Sequence, residues 1–218
     1  PLPAAPAPAN NLATGLVEIK LPEEANDCHA IIPANYRADV PHGLVVWLHA
    51  PGDVNDDILK QQWATLAAKY HLIVLAPKAA DDNRWQPTEI EFIRKTMDNI
   101  INTYNVDRNR IVSFGRQAGG AMSLILGFSQ RDLVRGVIPV DAPFPLRAGI
   151  SPNDPAERLA VHAILVKGSP VSRAVGNAIK ALEAAKYPVS RTELESPGEI
   201  TDELRESLTQ WIDSLDRI

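Results

Sequence analysis

The stretch Arg110-Ile111-Val112-Ser113-Phe114-Gly115-Arg116-Gln117-Ala118-Gly119-Gly120 decides how this chain is read. Arg110 to Phe114 is rich in β-branched and aromatic residues and reads as a short strand. Ala118 to Phe128 reads as a helix. Gly115, Gly119 and Gly120 bracket the turn between them, where close helix–strand packing leaves no room for a Cβ. A strand that passes so abruptly into a helix is one unit of a sheet covered by helices.

The same alternation extends in both directions. Upstream, Gly43-Leu-Val-Val-Trp-Leu-His49 is an almost continuous apolar run, the pattern of a strand buried on both faces. His71 to Ala76 is a second such strand, stopped by Pro77. Leu16 to Leu21 and Cys28 to Ile32 read as two further strands turned at Asn26-Asp27. Downstream strands are Leu133 to Val140, Ala160 to Val166 and Val189 to Leu194. Helices are expected at Asp56 to Tyr70, Glu89 to Tyr104, Val171 to Lys186 and Glu199 to Leu215, each with an apolar stripe at helical spacing. The pattern predicts a doubly wound, mostly parallel sheet with helices on both faces. Ligands of such sheets bind beyond the C-terminal strand ends. Here those are the loops 49–55, 77–86, 115–120, 141–150, 167–173 and 195–200.

Composition agrees with this architecture and narrows the function. A chain of 218 residues with 45% hydrophobic and 22% charged content builds an ordinary core, which excludes disorder as the main description. A net charge of −5 argues against a nucleic-acid surface, which needs a basic face. No apolar run approaches the roughly 20 residues that span a bilayer. Cys28 is the one cysteine, so neither an internal disulfide nor a multi-cysteine zinc site can form. Pro1, Pro3, Pro6 and Pro8, with alanines between them, mark residues 1–12 as a semi-rigid linker or disordered N-terminus. The expectation is a single domain over 13–218, preceded either by a processed N-terminus or by a join to an upstream domain of the same polypeptide.

Gly115-Arg116-Gln117-Ala118-Gly119-Gly120 resembles the nucleophile elbow of the α/β-hydrolase family, Gly-x-Ser-x-Gly-Gly. Leu48-His49-Ala50-Pro51-Gly52 looks like the oxyanion loop that follows the family's third strand. Tyr104-Asn-Val-Asp107 with Arg110-Ile-Val resembles the approach to the elbow. Leu182 to Pro188 and Trp211-Ile212 resemble the closing strand-and-helix pair. The resemblance runs from about Leu16 to Ile218 and is nearest to small carboxylesterases of the feruloyl-esterase and depolymerase kind. It implies the α/β-hydrolase fold, with a vestigial oxyanion and elbow loop at His49, Ala50, Gly115, Ala118 and Gly119.

The reacting residues depart from that family. The elbow's central position holds Gln117, and a carboxamide is a poor nucleophile with no proton that a histidine can usefully remove. The family's acid follows the strand that is here Ala160 to Val166, yet no Asp or Glu lies between Glu157 and Glu183. The family's histidine follows the last strand, where this chain reads Pro197-Gly198-Glu199, and no histidine follows His162. The resemblance therefore implies a degenerate triad, with Gln117 and Glu199 at vestigial positions. The expected function is a binding or accessory domain that accepts a small-molecule, carbohydrate or ester ligand. The alternative is an active hydrolase with a non-standard set, Ser169, His49 and Asp141.

Other residues read as structural. Ser169-Pro170 suits a helix N-cap and first helical residue. Ser113 and Ser123 lie inside elements, and His162 lies toward the far end of its strand from the ligand loops. Asp53, Asp56 and Asp57 read as caps of the following helix, and Asp81-Asp82 as loop solubilisers, rather than as ligands of a hard cation. No phosphate loop or dinucleotide fingerprint occurs, and no cofactor is implied.

Overall fold

The computed structural model describes residues 12–144, 150–196 and 200–217. Side-chain alternation sets the layers. In β3 (His42–Leu48), Leu44, Val46 and Leu48 point into one apolar cluster and Val45 into another. Period-2 geometry thus divides one apolar strand between two cores.

The other strands are β1 (Gly15–Glu18), β2 (Cys28–Ile32), β4 (Leu72–Pro77), β5 (Val106–Arg116), β6 (Gly136–Val140), β7 (Ala160–Val166) and β8 (Val189–Leu194). They form one sheet in the order β1-β2-β4-β3-β5-β6-β7-β8. β1 pairs antiparallel with β2, and β2 with β4. Every pairing from β4 to β8 is parallel. Helices α1 (Asp56–Tyr70), α2 (Ile90–Thr103), α3 (Ala118–Ser129), α4 (Ser172–Ala184) and α5 (Asp202–Asp213) cover it. Leu59, Trp63 and Ala67 of α1 and Leu208 and Ile212 of α5 pack on one face. Ile93, Met97 and Ile100 of α2, Leu124 of α3 and Val175 and Ile179 of α4 pack on the other. The expected doubly wound sheet is what the chain forms.

Several boundaries differ, each for a local reason. β5 begins at Val106 because the pairing with β3 shifts register between His42 and Leu44, which accommodates extra residues before Ile111. Leu133 and Val134 are buried but lie outside β6, since both their amides close a turn on Gln130 O as α3 ends. α1 is capped by Asn55, whose Oδ1 accepts from Asp57 N at 3.0 Å and Ile58 N at 3.1 Å; of the acids expected as caps, Asp56 and Asp57 fill its first turn and Asp53 precedes the cap. α4 starts at Ser172, later than Ser169-Pro170 suggested. α5 starts at Asp202, with Thr201 Oγ1 accepting from Leu204 N at 3.2 Å. The linker residues 1–11 lie outside the described residues.

Candidate functional site: the elbow cleft

The elbow is built by close approach. A Cβ on Gly119 would stand 2.1 Å from Leu48 O and 2.4 Å from His49 O. One on Gly115 would meet Gly119 C at 2.4 Å, and one on Gly120 would meet Ala142 Cβ at 2.6 Å. The three glycines let α3 sit directly on the C-terminal ends of β3 and β5. Gln117, between them, is held at φ 52° and ψ −115°. Its N–H donates to Val140 O at 2.9 Å, and its carbonyl accepts from Ala121 N at 2.9 Å, which opens α3. That backbone conformation is sparsely populated for a residue with a side chain and costs about 1–3 kcal/mol. The strain lifts the Gln117 carboxamide to an exposed apex.

Beside that apex is an open cleft of about 350 Å³, lined by Gln117, Ala118, Ala121, Asp141, Pro143, Ser169, Pro170 and Val171. Asp141 follows β6 and also has a positive φ, 46°. Its N–H donates to Ile164 O at 2.9 Å, which ties it to the end of β7. Its Oδ1 is buried with no hydrogen-bond partner. Ser169 forms the turn that leads into α4: its carbonyl accepts from Ser172 N at 3.1 Å and Ser172 Oγ at 2.8 Å. Its own Oγ accepts from Val171 N at 3.3 Å. Val171, not Ser169, is the residue that precedes the helix, which corrects the N-cap expectation.

His49 is placed elsewhere. It is 1% exposed and does not line the cleft. Its Nε2 accepts from Ala79 N at 3.1 Å, which leaves Nδ1–H to donate to Ala50 O at 3.0 Å. Trp85 stacks on the ring at 4.8 Å and donates its indole N–H to His49 O at 3.1 Å. Both imidazole nitrogens are therefore committed to backbone. The structure brings Ser169 and Asp141 to one cleft and keeps His49 out of it. Ala50 is buried and faces a smaller cavity of about 120 Å³ on the α1/α5 side, with Trp63, Phe114, Arg116 and Arg205. Glu199 lies outside the described residues.

The remaining polar candidates have structural partners. Ser113 Oγ donates to Ser123 O at 2.9 Å, and Ser123 Oγ to Gly120 O at 2.7 Å. His162 sits between Ser190 Oγ at 2.8 Å and Thr192 Oγ1 at 3.0 Å, against Trp211. Asp56 pairs with Lys78 at 3.0 Å and Asp81 with Arg84 at 2.9 Å. Among the described residues, no group of three His, Cys, Asp or Glu is placed to hold a metal ion, and no helix is long and apolar enough to cross a membrane. Sequence reasoning missed Glu89. Its buried carboxylate accepts from Ala80 N at 2.7 Å, Gln86 N at 2.6 Å and Asn26 Nδ2 at 3.0 Å. It clamps the loop that carries Ala79 and Trp85 against His49. The spacing Gln86-Pro-Thr-Glu89 was the available signal, being that of a capping box.

No family model and no curated protein matches this chain. Solved structures do. A thermostable esterase superposes with a TM-score of 0.66 at 19% identity over 92% of this chain, which spans 59% of that protein's length. Fungal esterases from Rhizomucor miehei give 0.70 at 12% identity, covering 95% of this chain and 84% of theirs. A ferulic acid esterase gives 0.67 at 16% identity, covering 93% and 98%. At such identities the likeness is one of fold.

Proposed function

We propose that this chain, which has the α/β-hydrolase fold, binds a small organic ligand in its elbow cleft and does not turn over esters. The observation that carries the reading is Gln117 at the strained apex of an open cleft that no described histidine lines. Ester hydrolysis on this fold needs an activated nucleophile at the apex, a base to take its proton and donors for the oxyanion. The apex here offers a carboxamide, which donates and accepts hydrogen bonds but forms no acyl intermediate. The strain that would present a reagent presents a binding group instead. The opening of the cleft also favours ligand binding over a domain whose old site is filled by its own side chains.

The test is direct. Incubation with a fluorophosphonate probe leaves the protein unlabelled, and p-nitrophenyl acetate is hydrolysed no faster than in buffer. Gln117→Ser alone also stays silent, because no described histidine lines the cleft to take the new hydroxyl's proton. Turnover in that variant, or labelling of the parent protein, would reject the reading. One observation favours a second reading, a hydrolase that uses Ser169: Ser169 and Asp141 share the cleft. It requires His49 to leave both of its backbone partners. Saturable hydrolysis that vanishes in Ser169→Ala would establish it.

A further inference from the structure

Asp141 is the anomalous residue of the cleft. Its backbone is strained, and its Oδ1 is sealed from solvent without a donor. A buried carboxylate oxygen without a donor is costly, and native structures rarely tolerate one without a reason. Ile164 O fixes the backbone N–H of the same residue, which holds its main chain at the end of β7. Asp141 lines the cleft, and a ligand bound there is a source of the missing donor.

None of the described residues lining the cleft is cationic. Among the described lining residues the one charged group is the Asp141 carboxylate, inside a chain whose net charge is −5. The polar groups beside Asp141 are the Gln117 carboxamide and the Ser169 hydroxyl, both able to accept a hydrogen bond. Around them are Ala118, Ala121, Pro143, Pro170 and Val171, an apolar wall with no aromatic ring among the described lining residues. A sugar is recognised by stacking on an aromatic face as well as by acid and amide groups, so the lining argues against one. It suits an alkyl chain that ends in a cationic donor.

We infer that the elbow cleft takes a primary aliphatic amine, its ammonium on the Asp141 carboxylate with Gln117 Oε1 and Ser169 Oγ as further acceptors. The inference rests on the reading of the cleft as a binding site and supplies its ligand class. Three protons of an ammonium match three acceptors, and the alkyl body lies along the prolines and Val171.

The probes are n-hexylamine, hexan-1-ol and hexanoate, titrated into the whole chain at pH 7 and 150 mM salt and followed by amide chemical shifts in NMR. Hexylamine is expected to move the amides of Gln117, Ala118, Ala121, Ser169 and Val171, and to bind about tenfold tighter than hexanol, with hexanoate weakest. Asp141→Asn, near-isosteric and checked by its melting curve, is expected to bring the amine and the alcohol to equal affinity. The wild-type series stands even if that variant fails to fold. Hexanol or hexanoate shifting these amides as strongly as the amine overturns the amine inference and leaves the binding cleft. An amine preference that survives in folded Asp141→Asn also overturns it. No response of these amides to any of the three overturns both.

Discussion

At the residue scale, identity and environment separate groups that look reactive from groups that are. His49 looked available because it ends an apolar strand beside the ligand loops. Its two nitrogens are instead used by Ala50 O and Ala79 N, so it works as a rivet between two loops. No sequence pattern reports the partners of a ring. Cys28 is the parallel case among nucleophiles. It is buried in β2, and burial pushes its thiol up to about 12, against smaller opposing effects of the Thr96 hydroxyl and the Lys78 charge. The thiolate is the reactive form, so the native protein holds almost none of it near neutral pH. Ellman's reagent at pH 8 is expected to release no thionitrobenzoate from the native chain over an hour, and one equivalent in guanidinium. Rapid release from the folded protein would show that β2 opens far more readily than its burial indicates.

At the element scale, the elbow was the most legible part and the α4 entrance the least. Glycine spacing forces the strand–turn–helix geometry, because three positions there admit no Cβ. The strained apex and the parallel β5–β6 pairing follow from it. The start of α4 was misread because Ser169 and Pro170 have the residue types of a cap, while the bonds of Ser169 O to Ser172 close a separate turn first. The sequence offers Asp141 as a strand-end acid of the alternative set; its positive φ and its unpartnered oxygen come from tertiary packing that no local pattern encodes. The elbow's dependence on Gly119 gives an expectation. A methyl group placed 2.1 Å from Leu48 O must push α3 off the end of β3. Gly119→Ala is expected to lower stability by about 1–3 kcal/mol, the usual range for overpacking. Gly176→Ala in α4, where a Cβ meets nothing within 4 Å, is the control and should be neutral or slightly stabilising. Urea unfolding of the two variants makes the comparison, and equal midpoints would contradict the close approach.

At the scale of the whole molecule, the covered sheet buries two histidines whose protonation the fold disfavours. His42, at the start of β3, is fully buried; burial above all, then the charges of His71 and Arg110, hold its pKa below 6.5, and a hydrogen bond to Val40 O opposes the shift only in part. His162 in β7 is lowered from 6.5 by burial alone. In both cases the folded state takes up a proton less readily than the unfolded chain. Their contribution to stability is therefore complete above about 6.5 and is lost as pH falls below it, through each folded pKa. The slope cannot exceed about 1.4 kcal/mol per pH unit for each histidine. The carboxylates whose pKa values are lowered, Asp39, Asp81, Glu203 and Glu206, start from 3.8 or 4.5, so their loss begins only at lower pH. Between pH 6.5 and 5 these two histidines are thus expected to contribute to a fall in stability that these acids do not yet add to. Urea unfolding across that range should show the fall, and His42→Gln with His162→Gln should flatten it whatever the absolute stability of the double variant. A slope unchanged by the two substitutions would mean that neither imidazole is held neutral by the fold.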